Sequence, residues 1–337
     1  MKKKAIKALK FLVFLIIGLV IFWLIYKDQD IERIKEILKN DVHYSWLWLS
    51  LVFGLFSHIS RSIRWNLLIE PLGSTPRLSN TFLAVMVGYL MNIAFPRMGE
   101  ISRCGVLSRY ENISFTKLVG TVVVERIIDV IVLLLLTLLV IVTQFGHVLS
   151  FIHNNPEIEE KLNSLIVSPY PYIIIVAMFI FFFLYRKAFK KTKIYSKIEG
   201  TINNFKEGLR SFRYVKKKGA FIFHTFFIYL MYYLMFYVVF FCFDFTSHLS
   251  LMAGLTSFVL ASFGMVAPVQ GGIGAWHFMA KEALKLYGIP NENGIIFALL
   301  NHTAMTLMLI VFGLLSLLVL PFINRNAKLP EEEKAES

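Results

Sequence analysis

The feature that most constrains this chain is a series of apolar runs, each about as long as a lipid bilayer is thick. A helix needs about 20 mostly apolar residues to cross a bilayer. Hydrophobic residues make up 57% of the sequence and charged residues only 17%, whereas soluble domains carry about 25% charged residues. We therefore predict an all-α polytopic membrane protein with about six full spans. The candidate spans are residues 8–26, 44–61, 118–143, 170–186, 220–243 and 295–320.

Two further apolar runs end at a proline. Residues 79–95 lead to Pro96, and residues 249–267 lead to Pro268. The more polar helical stretches that follow them are 99–110 and 274–287. The first of these is short and carries two arginines, and irregular backbone survives in a bilayer only where protein or water surrounds it. We predict two proline-broken, re-entrant helical hairpins, with two pairs of full spans as the alternative.

The placement of Lys and Arg predicts the orientation in the membrane. Five lysines lie among the first ten residues, and the segment that follows residue 186 is rich in Lys and Arg, whereas residues 144–169 contain one lysine. Basic residues concentrate on the cytoplasmic side, so we expect both termini inside. Four basic residues in the segment 27–43 oppose this assignment. Three spans separate the hairpins, which predicts opposite orientations and an inverted repeat.

The net charge of +13 lies mostly between the apolar runs. In a soluble protein it would suggest nucleic acid, but here it predicts contact with anionic lipid headgroups.

Apolar residues at helical spacing among basic ones over 198–213 predict a cytoplasmic amphipathic helix on the membrane surface, with docking to a partner protein as the alternative. We expect one transmembrane domain over 1–324 and a disordered cytoplasmic tail over 325–337.

A short motif recurs at the two breaks. Pro96 and Gly99 form a P-x-x-G sequence at the first break, and Pro268 and Gly271 form one at the second. Proline ends the first arm, and glycine permits an unusual turn. The next arm then begins with unpaired backbone N–H groups, which attract anions. The motif predicts an anion-binding break in each hairpin, and two proline kinks that only shape packing are the alternative.

Charged residues crowd the first break and the helix that follows. Glu100 and Arg103 are three residues apart and can pair on one helix face. Glu125, Arg126 and Asp129 lie in a strongly apolar run and leave one negative charge to be matched. The candidate partners are Arg97, Arg103 and Lys117. Charge inside a membrane is costly and marks a functional site. A buried ion cluster that only joins this helix to the first hairpin is the alternative.

Two arginines after the second apolar run receive a simpler interpretation. Arg61 and Arg64 are expected to reach phosphates at the inner membrane surface, because long basic side chains extend to the headgroups. Trp65 beside them is typical of an interfacial anchor. We therefore do not include these residues in the predicted site.

The second hairpin carries histidines. His277 and Lys281 share a helix face, and His302 lies in the last apolar run. Two histidines could form a proton relay or a metal pair, but no metal-binding spacing is present, so structural hydrogen bonds are expected and no metal. Cys104 and Cys242 lie in apolar surroundings and are expected to be small buried residues. Neither a nucleotide-binding P-loop nor a hydrolase elbow occurs, and no cofactor is expected.

The motifs at the breaks resemble those of a known family. Residues 88–103 read GYLMNIAFPRMGEISR, residues 124–129 read VERIID and residues 267–274 read APVQGGIG. Together they resemble the lysylphosphatidylglycerol synthase transmembrane (flippase-domain) family, over about residues 5–320. The resemblance implies a bacterial cytoplasmic (inner) membrane protein. In two-part members this domain translocates aminoacylated phospholipid made by a fused cytosolic domain, and we expect no such synthetase here because the chain ends at Ser337.

The leading hypothesis from the residues and the resemblance is a lipid translocase (flippase-like) for a phospholipid or another lipid with an anionic phosphate. One alternative is a membrane enzyme that acts on a lipid or polyprenyl-phosphate, with Glu100, Glu125 and Asp129 as acid–base groups. Another is a non-catalytic membrane partner protein.

The expected partners are membrane lipids and not nucleic acid, and a homo-oligomer is left open. The predicted substrate-binding residues are Asn92, Pro96, Arg97, Gly99, Glu100, Arg103, Glu125, Arg126, Asp129, Pro268, Gln270, Gly271, Gly272, Gly274, His277 and Lys281.

Overall fold

A computed structural model describes residues 30–95, 97–146, 214–267 and 269–325, with isolated positions elsewhere. Within this described part, the regular structure is helical and contains no β-strand, which confirms the predicted all-α membrane fold. The α-helices are α1 (Ile31–Asn40), α2 (Tyr44–Ile69), α3 (Leu78–Ala94), α4 (Gly99–Glu111), α5 (Phe115–Thr143), α6 (Lys218–Tyr237), α7 (Asp244–Ser247), α8 (Leu251–Val266), α9 (Ala275–Lys285) and α10 (Asn291–Ile323). Short 3₁₀ turns occupy Glu70–Leu72, Val238–Cys242 and Gln270–Gly272.

Among the described helices, three are long and apolar enough to cross a membrane. They are α5, α10, and α6 together with its 3₁₀ extension to Cys242. These helices coincide with the predicted runs 118–143, 295–320 and 220–243. The predicted runs 8–26 and 170–186, the amphipathic segment 198–213 and most of the tail lie outside the described ranges. The number of spans and the re-entry of the hairpins therefore stay predictions.

The two predicted breaks are present as interruptions between paired helices. The first hairpin is α3 followed by α4, and the second is α8 followed by α9. Pro96 and Pro268 lie outside the described residues. At the first break, Phe95 is extended and Arg97 has a φ of 61°. At the second, Gly271 has a φ of 56°, a left-handed conformation that glycine adopts without steric cost.

The arms of each hairpin touch at a glycine. A Cβ built on Gly99 would lie 2.1 Å from the backbone oxygen of Gly88. A Cβ built on Gly264 would lie 2.6 Å from the Cα of Trp276. Real Cβ atoms do not approach other heavy atoms so closely, so both hairpins depend on glycine at the point where the two backbones meet.

Two apolar clusters hold the helices together. One joins α2, α3, α4 and α5 around Trp65, Leu107 and Leu118. The other joins α6, α8, α9 and α10 around Phe240 and Phe297. Helix α2 also runs along α6, and the first hairpin packs against α10. Arg103 of the first hairpin consequently lies on the inside of a helical bundle, where α2 and α5 can reach it.

Candidate functional site

The centre of the site is a buried ion cluster between α2 and α5. Arg61 and Arg64 are one helical turn apart and so project from one face of α2, as Glu125 and Asp129 do on α5. Arg61 Nη2 lies 2.6 Å from Glu125 Oε1 and 2.7 Å from Asp129 Oδ2. Arg64 Nη2 lies 2.7 Å from Asp129 Oδ1 and 3.4 Å from Glu125 Oε1. Each carboxylate is therefore shared by both arginines.

The first hairpin joins this cluster through α4. Arg103 Nη2 lies 3.0 Å from Glu125 Oε2, and its guanidinium stacks on the ring of Trp65 at 4.6 Å. Trp65 is fully buried and its Nε1 donates to Thr121 Oγ1 at 2.9 Å. The indole thus holds the guanidinium of Arg103 by stacking and is itself held to α5 by its hydrogen bond to Thr121. Arg103, which was one of three candidate partners for the α5 carboxylates, is confirmed as one.

Arg126 and Glu100 complete the cluster at its open side. Arg126 Nε lies 3.6 Å from Glu100 Oε1, and its Nη1 lies 3.8 Å from Asp129 Oδ2. The predicted pairing of Arg126 with Asp129 is confirmed. Glu100 pairs with Arg126 across the two helices, and no ion pair joins it to Arg103 in the described part of the chain.

The charges in this cluster do not cancel. Four arginines (Arg61, Arg64, Arg103 and Arg126) face three carboxylates (Glu100, Glu125 and Asp129), which leaves one positive charge in excess. Tyrosines of α6 add neutral contacts, because Tyr232 accepts from Arg61 at 3.2 Å and Tyr229 donates to the backbone oxygen of Asp129 at 3.0 Å. Buried ions need such partners because desolvation is expensive. The excess charge makes the cluster attractive to an anion.

A small cleft opens beside the cluster, with about 10 Å³ of enclosed space, which is room for about one water molecule. Its walls come from α2, α3, α4 and α5: Arg61, Val85, Gly88, Tyr89, Asn92, Gly99, Glu100, Arg103 and Arg126. Asn92 Oδ1 accepts from the backbone N–H of Gly99 at 2.7 Å and so caps the start of α4. Arg126 has 45% of its side chain exposed and is the most accessible guanidinium of the cluster. Glu100 Oε2 is buried and has no hydrogen-bond partner within the described residues.

The second break has its own polar contacts. His302 Nε2 lies 2.8 Å from the backbone oxygen of Gly271, and the rings of His277 and His302 are 4.5 Å apart. The N–H of Gly274 donates to His277 Nδ1 at 3.3 Å. These contacts agree with the structural hydrogen bonds predicted for both histidines. In the described part of the chain, no group of three or more His, Cys, Asp or Glu is placed to hold a metal ion.

The two breaks meet each other. A Cβ built on Gly271 would lie 3.7 Å from Cγ1 and 3.9 Å from Cα of Ile93, at the end of α3. The turn Gln270–Gly272 therefore packs against the tip of the first hairpin. Lys281 lies farther along α9, where it pairs with Glu282 at 2.9 Å and packs against Gly294.

Apart from Pro96 and Pro268, which lie outside the described residues, the predicted residues fall into three groups. Those at the cleft or in the cluster are Asn92, Gly99, Glu100, Arg103, Glu125, Arg126 and Asp129. Those of the second hairpin do not line this cleft: Gln270, Gly271, Gly272, Gly274, His277 and Lys281. Arg97 is exposed and is also not a wall of the cleft. The free cysteines Cys104 and Cys242 are buried, as predicted.

The prediction for Arg61, Arg64 and Trp65 is wrong. All three are buried, and both arginines pair with carboxylates of α5 instead of reaching the membrane surface. The physical reason is that α5 carries too little positive charge to neutralise its own carboxylates. The arginines of α2 supply that charge across the bundle. One sequence signal could have revealed it: Gly54, Ser57, Arg61 and Arg64 recur at helical spacing, as expected for a polar stripe that packs against another helix.

Comparison with known proteins agrees with this architecture. Residues 9–313 match the family described as the lysylphosphatidylglycerol synthase TM region. A UPF0104 membrane protein of Methanocaldococcus jannaschii is 32% identical over 139 residues, and the match covers 40% of this chain and 41% of that relative. No solved structure matches. Because the family match extends over most of the sequence and includes both hairpins, this multi-pass membrane protein belongs to the lysylphosphatidylglycerol synthase transmembrane-region family.

Proposed function

We propose that this protein is a lipid translocase that moves a phospholipid, or another lipid with an anionic phosphate, from one membrane leaflet to the other. The observation that carries the proposal is the cleft above an ion cluster with one positive charge in excess. A phosphate cannot enter an apolar environment without compensation, because an isolated ion loses its hydration there. The cluster offers that compensation inside a membrane domain.

The cleft residues suggest how a headgroup would be held. Arg126 is half-exposed and has only long contacts, at 3.6 and 3.8 Å, to its carboxylate partners. Its guanidinium could therefore turn toward a phosphate and bind it with two parallel hydrogen bonds. Glu100 beside it could then receive a cationic part of the headgroup through its buried, unpartnered oxygen. The acyl chains would stay in the surrounding lipid.

The contact between the two breaks supports a transport role. The tip of the first hairpin packs against the turn at Gly271, so a shift of either hairpin would change the neighbourhood of the other. Packed interfaces of this kind tend to have discrete arrangements. We propose that the hairpins move relative to each other to expose the cleft to one leaflet and then to the other.

The enzyme alternative receives less support from the same geometry. Glu125 is contacted by three arginines and Asp129 by three, so neither carboxylate is free to accept a proton from a substrate. Glu100 is the remaining candidate acid or base. Formation of a product from a lipid panel, lost in Glu100→Gln, would favour the enzyme over the translocase.

Transbilayer movement in proteoliposomes tests the proposal. Fluorescent analogues of phosphatidylglycerol, phosphatidylethanolamine and aminoacylated phosphatidylglycerol are placed in one leaflet, and their arrival in the other is followed by chemical quenching. We expect at least one phosphate-bearing lipid to move faster than in liposomes without protein. Equal rates with and without protein across the whole panel would overturn the proposal.

We also propose a location and an orientation. The family resemblance favours a bacterial cytoplasmic membrane, and the distribution of Lys and Arg favours cytoplasmic termini. Cysteines introduced before residue 8 and after residue 325 should be protected from a membrane-impermeant reagent in intact cells. Labelling of either position from outside would reverse the orientation.

A further inference from the structure

We propose that His58 binds a proton that is taken up together with an anionic headgroup in the cleft. The inference rests on the proposed function and adds an energy source to it, since coupled proton uptake would let a pH gradient drive the lipid. It follows from the position of one buried imidazole that the ion cluster does not use.

His58 is almost completely buried, with 5% of its surface exposed, and it lies on α2 one turn before Arg61. The ring of Tyr89 is 4.7 Å away and that of Tyr232 is 5.9 Å away. His58 Nδ1 has no hydrogen-bond partner among the residues that the structure describes. A buried nitrogen of this kind normally has a partner, and a ring nitrogen without a protein partner is able to accept a proton.

Tyr89 connects this imidazole to the cleft. Its side chain is both a wall of the cleft and a neighbour of His58. Its hydroxyl lies 3.0 Å from the hydroxyl of Tyr232, which accepts from Arg61 at 3.2 Å. Only the side chain of Tyr89 thus separates a headgroup in the cleft from His58. The charge of the headgroup therefore acts on the imidazole across a short distance.

The charges that face His58 set the direction of the coupling. Tyr89 faces His58 from α3, Tyr232 faces it from α6, and Arg61 lies on its own helix. Helix α10 contacts α2 through the uncharged side chain of Met308, at Gly54. Beyond Arg61 lie the other members of the ion cluster, Arg64, Arg103, Arg126, Glu100, Glu125 and Asp129. Their excess positive charge opposes a second positive charge on His58 when the cleft is empty.

An anion in the cleft reverses this balance. It neutralises the excess charge of the cluster, so a proton on His58 no longer adds to an uncompensated positive site. Because coupling between two ligands is reciprocal, a protonated His58 must also raise the affinity for the anion. The proton and the headgroup therefore bind cooperatively, and the loaded site keeps the single positive charge of the empty one.

The test uses purified full-length protein in detergent and short-chain phosphatidylglycerol as the probe. Calorimetric titrations in buffers with different ionisation enthalpies give the number of protons taken up per lipid bound between pH 6 and pH 8. We expect uptake that approaches one proton, and an affinity that falls about tenfold per pH unit where His58 is neutral in the free protein. Binding in His58→Gln should be independent of pH.

Two histidine variants serve as controls. His224 of α6 bonds to Ser60 near the cluster, and His43 is exposed beside Asp244. His224→Gln and His43→Gln should keep the pH dependence of the wild type. Dependence that survives in His58→Gln, or disappears in His224→Gln, would overturn the assignment.

The wild-type titration decides the inference even if His58→Gln does not fold. Lipid binding without proton uptake would overturn the coupling but would not contradict the translocase proposal. A rate of lipid movement that does not change with a pH gradient would have the same meaning. Absence of both binding and transbilayer movement would overturn the proposed function along with the coupling.

Discussion

Replacing Glu125 by glutamine is expected to destabilise the fold far more than the same change at an exposed ion pair. Glu125 is fully buried and lies 2.6, 3.4 and 3.0 Å from Arg61, Arg64 and Arg103. Glutamine has nearly the same shape but no charge, so the excess of the cluster rises from one to two positive charges. Breaking a buried ion pair costs about 3–5 kcal/mol, and a residue shared by three arginines belongs at the upper end.

A matched substitution separates the effect of losing a carboxylate in the buried cluster from the effect of losing one in an exposed ion pair. Glu292 pairs with Arg33 at a site where 57% of its side chain is exposed, so Glu292→Gln should cost at most about 1 kcal/mol. Unfolding in mixed micelles, followed by tryptophan fluorescence, gives both values. Trp65 reports directly on the cluster because Arg103 stacks on it.

A double variant tests the mechanism further. Arg103→Gln combined with Glu125→Gln restores the excess of one positive charge, so the two substitutions together should cost about 0.5–3 kcal/mol less than the sum of the single costs. If Glu125→Gln is no more destabilising than Glu292→Gln, or if the two single costs simply add, then the charge balance of the cluster does not hold these helices together.

Three further predictions concern the hairpins. Gly99→Ala places a Cβ 2.1 Å from the facing backbone and should destabilise by about 1–3 kcal/mol or more, whereas Gly105→Ala on the same helix meets nothing within 4 Å and should be neutral or stabilising in the same unfolding assay. Gly264→Ala, with a Cβ 2.6 Å from the opposite backbone, should behave like Gly99→Ala, and a neutral result would show that the second hairpin is loosely packed. His302→Phe leaves the backbone oxygen of Gly271 without its 2.8 Å partner and should cost about 1–3 kcal/mol, so unchanged stability would contradict a structural role for this contact.

Local patterns in the sequence were enough to predict much of the fold. Helix α5 and the two breaks follow from apolar runs and from proline and glycine, because helix formation and its interruption depend on neighbouring residues. The approach of Arg103 to Glu125 was also predictable, since charges in an apolar run need a partner of opposite sign.

The parts of the site that the sequence did not reveal depend on distant pairings. Arg61 and Asp129 are 68 positions apart, and nothing local shows whether an arginine near a helix end turns toward the headgroups or toward another helix. The contact between Gly271 and Ile93 is a further case, because it depends on how two hairpins approach each other. His58 carried no motif at all, and only its neighbours Tyr89 and Tyr232 make it a candidate.

The central claim is that lipid moves through the cleft, and the most direct measurement compares Arg126→Gln with Arg109→Gln. Arg126 is the accessible guanidinium of the cleft, whereas Arg109 is an exposed residue of α4 beside Tyr110. The rate of transbilayer movement of labelled lipid is measured in proteoliposomes with equal amounts of folded protein. We predict a fall of about tenfold or more for Arg126→Gln, from the loss of a charged hydrogen bond, and a wild-type rate for Arg109→Gln. Equal rates for the two variants would contradict transport through this cleft.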